Sequence, residues 1–190
     1  LLADEINRAT PKTQSALLEA MQERHVTVAG VQHVMKRPFL VLATQNPIEQ
    51  EGTYPLPEAQ LDRFLFEIDV PYPSLEAERR MLFATTGDKD ETAETVLSGT
   101  ELMAAQRLTR MIPVGEQVSE AILRVVRTTR PGEESNETVS TSIAWGASPR
   151  ASQALMLGVR AKALLEGRLS PSVDDVDALL EPVLKHRMAL

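Results

Sequence analysis

The spacing of apolar and polar positions changes along the chain. Short apolar runs typical of strands occur before residue 71, and helical spacing dominates from residue 74 onwards. Residues 1–3 are apolar and end in two adjacent acids, as expected where a buried strand leads into a site. Residues 39–44 form a nearly continuous apolar run, typical of a strand covered on both faces. We therefore predict two buried strands in the first part of the chain.

Proline, glycine and capping residues divide the rest of this first part. Thr10-Pro11 places a cap and a proline at the start of a predicted helix over 11–24. Valines flank Ala29-Gly30, which predicts a β-hairpin over 25–35. The elements predicted after the second strand are a polar loop over 48–54, a helix over 58–64 and a strand over 65–70.

Pro71-Tyr72-Pro73 disfavours helix on both sides and marks the predicted domain boundary. The chain beyond it reads as all-helical. Predicted helices cover 75–86, 100–111, 116–130 and 149–166, separated by loops at 87–99 and 131–147, and a last helix starts at a capping box, Ser172 to Asp175. Pro182 should kink or split that last helix. The predicted domains are therefore 1–73, of α/β class, and 74–190, all helical.

Composition narrows the function classes. The 190 residues include 20 basic and 27 acidic side chains, which give a net charge of −7 and a pI near 5.1. This charge argues against general binding to nucleic acid or anionic membranes, because both need a basic surface. The chain has no cysteine for disulfides or thiolate metal sites, and the histidines lack metal-ligand spacing. No apolar run is long enough for stable membrane insertion, and we expect a cytoplasmic protein.

Polar side chains follow both predicted strands. Asp4 and Glu5 follow the first strand, and Asn46 follows the second. The carboxyl ends of such strands open into the crevice where α/β sheets bind ligands. On phosphoryl-transfer scaffolds an Asp there holds Mg²⁺, and a neighbouring residue orients the attacking water. The alternatives are a solvated turn or helix cap at Asp4-Glu5, and a plain turn residue at Asn46 before Pro47.

Two arginines extend this set. Arg63 lies near the end of the short helix predicted over 58–64, and its structural alternative is an ion pair with an acid on the surface. Arg150 lies at the start of a predicted helix, where a cation is poorly placed for the helix dipole. That placement favours a ligand role for Arg150.

Together these motifs resemble the MoxR branch of the AAA+ ATPases. The resemblance runs from end to end and is most specific at Leu1–Asn7, Val41–Gln50, Gly52–Phe64 and Gly146–Ala151. It implies that Asp4 coordinates Mg²⁺, Glu5 is the general base, Asn46 is sensor 1, Arg63 is an arginine finger and Arg150 is sensor 2. It also implies that the hairpin at 25–35 is the pre-sensor-1 insertion of this branch.

The family pattern is incomplete in this chain, which contains no Gly-x-x-x-x-Gly-Lys-Ser/Thr motif. We therefore expect a partial P-loop NTPase core that lacks its amino-terminal half, followed by an all-α lid. The resemblance implies ATP and Mg²⁺ as cofactors. It implies a ring homo-oligomer, expected to be a hexamer, that remodels a protein client or a von Willebrand A-type domain partner. We expect the chain alone to bind ATP poorly.

Two other functions remain open on the sequence. One is a non-catalytic assembly module, in which the helical part packs against neighbouring subunits. The other is a nucleic-acid motor, because related AAA+ helicases carry a hairpin at the position of 25–35. Only Lys36 and Arg37 follow this hairpin and the chain is acidic, so we expect no nucleic-acid partner.

Overall fold

The structure, a computed structural model, describes residues 1–46, 52–87, 93–132 and 137–189. Its elements in chain order are β1 (Leu2–Ala3), α1 (Pro11–Glu23), β2 (His25–Val28), β3 (Val31–Val34), β4 (Leu42–Ala43), α2 (Glu58–Leu61), α3 (Leu75–Thr85), α4 (Gly99–Met111), α5 (Glu116–Thr128), α6 (Glu137–Ser142), α7 (Pro149–Leu165) and α8 (Val173–Leu184). Short 3₁₀ turns follow β1 and α8. Most of the predicted polar loop over 48–54 lies outside the described residues.

The two predicted strands pair in parallel, with Leu2 opposite Leu42 and Ala3 opposite Ala43. The prediction that they are buried on both faces is wrong for this chain, because Leu2 is 63% and Leu42 is 59% exposed. The second strand is also shorter than the predicted 39–44. Burial of a parallel strand requires neighbouring strands and helices on both faces. Within the described residues, β1 and β4 pair only with each other.

The hairpin and the helix before it are confirmed. Helix α1 begins at Pro11, directly after Thr10. Strands β2 and β3 are antiparallel, and the turn between them has φ of 50° at Ala29 and 80° at Gly30. Two successive positive φ values match the twist of a hairpin, which explains why glycine occupies the second position.

The predicted strand over 65–70 is wrong, because this segment is irregular and follows the surface of the helical region. Phe66 packs against the helical core, and the Glu67 amide donates to the Pro182 carbonyl at 2.8 Å. A Cβ atom at Gly158 would lie 2.9 Å from Leu179 Cδ1 and 3.4 Å from Phe66 Cζ. The small residue at 158 therefore lets these side chains approach α7.

The all-helical prediction for the second part is confirmed. Its core lies between α5, α7 and α8, where Val126, Leu155, Val159 and Val183 have no exposed surface. These positions follow helical spacing in the sequence, so each helix turns one apolar face inward. Apolar burial of this kind is the main favourable contribution to folding.

Two details of this region differ from prediction. Helix α6 lies within the predicted loop over 131–147. The helix was not predicted because its β-branched and hydroxyl residues have low helical propensity. Glu137 in the first turn favours a helix start, because an acid there interacts well with the helix dipole. Helix α8 continues through Pro182 to Leu184, so of the two outcomes predicted for Pro182 the split does not occur, and the kink stays a prediction. Val183 and Leu184 are buried in the core, and this packing holds the last turn together. No helix in the described ranges is long and apolar enough to cross a membrane.

Candidate functional site

The carboxyl ends of β1 and β4 hold the two predicted acids beside a threonine. The Thr44 hydroxyl donates to Asp4 Oδ1 at 2.6 Å and accepts from the Glu5 amide at 2.8 Å. The strand ladder continues on both sides of this contact, from Thr44 N to Ala3 O at 3.0 Å and from Ile6 N to Thr44 O at 3.0 Å. Parallel pairing therefore fixes the position of Asp4. Sequence reasoning missed Thr44, although a hydroxyl residue at the end of the second apolar run was the available signal.

Glu5 lies in a sharp turn. Its backbone is left-handed, with φ 47° and ψ 53°, which costs about 1–3 kcal/mol for a residue other than glycine. The Arg8 amide donates to the Glu5 carbonyl at 2.8 Å, and the Arg8 guanidinium lies 3.2 Å from the Glu5 carboxylate. Both side chains are partly exposed, so this ion pair is weak and can open. Such opening would let Glu5 approach a water molecule.

Asn46 lies next to the same turn. The Asn7 side-chain amide donates to the Asn46 carbonyl at 3.3 Å, while the buried Asn7 Oδ1 has no hydrogen-bond partner. Gln14, which is buried, donates to the carbonyls of Ile6 at 3.1 Å and Tyr54 at 2.8 Å. The Asn7 bond holds the Asn46 backbone beside the turn that follows β1, and the Gln14 bond to Ile6 fixes the same turn. We call Asp4, Glu5, Thr44 and Asn46 the strand-end cluster.

The strand-end cluster fits Mg²⁺ in its donor chemistry. Mg²⁺ in phosphoryl-transfer sites is held by one or two carboxylates, with water and phosphate oxygens completing the octahedron. Asp4 is exposed at the strand end, and its Oδ1 already accepts from Thr44. The described residues contain no group of three or more His, Asp or Glu side chains that could hold a metal. Among the described residues, Asp4 is the exposed carboxylate at this point, and a cation there would need further oxygens to complete its coordination.

A second group of charged residues surrounds Asp62, directly after α2. The Ser148 hydroxyl donates to both carboxylate oxygens, at 2.8 and 3.0 Å. Arg187 Nε donates to Oδ1 at 3.0 Å, and Arg150 Nη1 lies 3.4 Å from Oδ2. We call Asp62, Ser148, Arg150 and Arg187 the Asp62 hub. The structure therefore places Arg150 with Asp62.

Arg187 is the buried member of the Asp62 hub. Its side chain is 2% exposed and donates to the carbonyls of Asp62, Phe64, Leu65 and Val183. Burial lowers the pKa of Arg187, and the charge of Asp62 opposes that shift. A buried cation needs such partners, because an unpaired one costs several kcal/mol, on the order of 3–5. Sequence reasoning missed Arg187, which carries no local motif.

Arg63 is half-buried, and its Nε donates to the Ala59 carbonyl at 3.3 Å, one turn earlier in the chain. The carboxylate of the adjacent Asp62 contacts Ser148, Arg150 and Arg187 instead. Within the part of the chain that the structure describes, Arg63 therefore does not pair with Asp62, and a surface pair with another acid stays a prediction.

The turn that carries Arg150 is fixed by the end of α5. The Ala147 amide donates to Thr129 Oγ1 at 3.0 Å, and Arg130 Nε donates to the Ala147 carbonyl at 2.9 Å. A Cβ atom at Gly146 would lie only 2.3 Å from the Thr129 carbonyl oxygen, so glycine is required for this close approach. Ser148 then caps α7 by accepting from the Arg150 amide at 3.1 Å.

Comparison with known proteins identifies two separate regions, with residues 67–134 between them. The family model for the ATPase family associated with various cellular activities (AAA) matches residues 1–66. The model for the AAA lid domain matches residues 135–189. The strand-end cluster and Arg63 lie in the first region, and Arg150 and Arg187 lie in the second. The fold is therefore part of an AAA+ nucleotide-binding core followed by an all-α lid.

Individual relatives narrow the class. Chaperone MoxR1 of Mycobacterium tuberculosis is 48% identical over 191 residues, covering 100% of this chain and 50% of the relative. Protein MoxR of Paracoccus denitrificans is 34% identical, covering 98% of this chain and 58% of the relative. A solved structure from Cytophaga hutchinsonii, described as a candidate ATPase, is 38% identical with a TM-score of 0.92, covering 100% of this chain and 58% of that one. The chain spans about half the length of the curated relatives it matches. It belongs to the MoxR family of AAA+ ATPases.

Proposed function

We propose that the whole protein hydrolyses ATP and that the strand-end cluster performs the hydrolytic step. The single observation that carries this proposal is the Thr44 hydroxyl, which bonds both Asp4 and the Glu5 amide across two parallel strands. It holds an acid suited to Mg²⁺ beside an acid suited to activating water. Mg²⁺ held there would supply positive charge to neutralise the phosphates of the nucleotide.

In this proposal each protein group has one task. Asp4 would hold Mg²⁺, and Glu5 would accept the proton of the attacking water. The Asn46 amide orients that water and the γ-phosphate. Arg150 reaches the γ-phosphate from the lid, and Arg63 enters the site of a neighbouring subunit. Phosphoryl transfer depends mainly on positioning and positive charge, and a guanidinium provides both.

The phosphate-binding loop of P-loop enzymes is not among these 190 residues. Backbone amides and a lysine of that loop normally cradle the phosphates. We therefore propose that the chain by itself binds ATP poorly and contributes catalytic and sensing residues.

The proposed assembly is a ring homo-oligomer, expected to be a hexamer, because Arg63 acts on another subunit. We propose a chaperone-like action on a protein client or a von Willebrand A-type domain partner in the cytoplasm. The name of the relative chaperone MoxR1 supports the protein-client part of this proposal.

The test is Glu5→Gln in the whole protein. The amide keeps the shape of the side chain but loses its basicity, so we expect ATP binding to be retained and turnover to fall about 10²–10⁴-fold. Turnover is measured by phosphate release and binding by fluorescent-nucleotide titration. The matched control is Glu58→Gln, an exposed acid at the start of α2, which should leave both unchanged. Normal turnover in Glu5→Gln would remove Glu5 from the mechanism.

A further inference from the structure

One carboxylate in the Asp62 hub serves two guanidinium groups, and the two contacts are unequal. Arg187 lies 3.0 Å from Asp62 with a side chain only 2% exposed, whereas Arg150 lies 3.4 Å away and is 47% exposed. Exposed ion pairs contribute about 0–1 kcal/mol, while buried ones are costly to break. Arg187 is therefore the fixed partner of Asp62, and Arg150 is the exchangeable one.

The fixed partner also holds the backbone around Arg63. The guanidinium of Arg187 donates through Nη2 to the Asp62 carbonyl at 3.2 Å and to the Phe64 carbonyl. These two carbonyls lie on either side of Arg63. The Arg187 side chain therefore holds the backbone on both sides of Arg63 and is also paired with the Asp62 carboxylate.

We propose that Asp62 is a positioning residue that couples Arg150 of the lid to Arg63 of the core. When Arg150 leaves Asp62 to bind an anionic phosphate, the Asp62 carboxylate keeps only its contacts with Arg187 and Ser148. The Asp62–Arg187 pair then tightens and reorients the turn that carries Arg63. Binding of phosphate in one subunit's site thereby changes the position of Arg63, which acts in the site of the neighbouring subunit. The phosphate and the neighbouring subunit rest on the proposed function, whereas the coupling rests only on the hub geometry.

The charges explain why the departure of Arg150 has an effect. Burial lowers the pKa of Arg187; the charge of Asp62 opposes this shift and the charge of Arg150 adds to it. Arg150 and Arg187 therefore repel each other while sharing one carboxylate. Loss of Arg150 removes the repulsion and the competition together, so the Asp62–Arg187 pair strengthens.

The test follows the Nε–H signal of Arg63 by ¹⁵N NMR in the 190-residue chain, without any nucleotide. This proton is hydrogen-bonded to the Ala59 carbonyl and reports the local geometry of Arg63. Arg150→Ala mimics the departure of Arg150 and should shift the signal by more than one linewidth. In the Asp62→Asn background, the same change at Arg150 should cause no further shift. Asp62→Glu keeps the carboxylate and should keep the response.

The matched control is Asp69→Asn, which removes a carboxylate paired with Lys185 at 2.6 Å. It should leave the Arg63 signal and its response to Arg150→Ala unchanged. An Arg63 signal that ignores Arg150→Ala, or that shifts equally with and without the Asp62 carboxylate, would overturn the coupling. If Asp62→Asn fails to fold, the wild-type background still tests the proposal, because an Arg63 signal that does not respond to Arg150→Ala overturns the coupling. The measurement uses no nucleotide and does not depend on ATPase activity. A failure of the proposed coupling can therefore be distinguished from a failure of the proposed ATPase function.

Discussion

The ion network at the start of α8 should make the stability of the lid depend on pH through one aspartate. The Asp175 side chain is 4% exposed and accepts from Arg168 at 2.7 and 2.8 Å. It also accepts from the Ser172 amide at 2.8 Å, which completes the predicted capping box. The perturbation is Asp175→Asn, which removes the charge and keeps the shape of the side chain.

The magnitude follows from the pKa of Asp175. Hydrogen bonding from Arg168 is the largest cause that lowers this pKa, from 3.8 to about 2. The folded-state pKa lies below the unfolded value, so the stabilisation is fully present above the unfolded pKa. It is lost as the pH falls towards about 2. Since each pKa unit corresponds to about 1.4 kcal/mol, Asp175 should contribute about 2 kcal/mol at neutral pH.

The assay is urea unfolding of the wild-type chain and of Asp175→Asn between pH 7 and pH 2, followed by circular dichroism. We expect Asp175→Asn to be less stable at pH 7 by about 2 kcal/mol, with the difference narrowing below about pH 4. The control is Asp174→Asn, one residue earlier in the first turn of α8 and exposed, which should change stability by less than about 0.5 kcal/mol. A difference between wild type and Asp175→Asn that stays constant from pH 7 to pH 2 would refute the reasoning.

Two further predictions concern the Arg150 turn and the missing phosphate loop. Gly146→Ala places a Cβ atom 2.3 Å from the Thr129 carbonyl and should destabilise the chain by about 1–3 kcal/mol in urea unfolding. Gly115→Ala, with no atom within 4 Å of its Cβ position, is the control, and equal losses in the two variants would contradict the packing argument. Calorimetric titration of the 190-residue chain with ATP·Mg²⁺ should give little or no heat, because no lysine-bearing loop cradles the phosphates. Clear micromolar binding would mean that the strand-end cluster and Arg150 hold the nucleotide unaided.

Local sequence signals predicted most of the secondary structure. Thr10-Pro11 predicted the start of α1, Ala29-Gly30 the hairpin turn, and the capping box from Ser172 to Asp175 the start of α8. Each of these features depends on residues within a few positions of one another, so periodicity and capping preferences suffice. The predicted strand over 65–70 failed because a distant surface decided the outcome there, since Phe66 packs on the helical core.

For the candidate site, too, the sequence determined some features and the tertiary structure decided others. The sequence by itself determined the identities and order of Asp4, Glu5, Asn46, Arg63 and Arg150, and through them the resemblance to a family. Only the tertiary structure decided their partners. The Asp62 hub joins residues 86 and 125 positions apart, and the Thr44 bond to Asp4 spans 40. No local pattern encodes such contacts, because they form only when packing of the helices and pairing of the strands bring distant segments together.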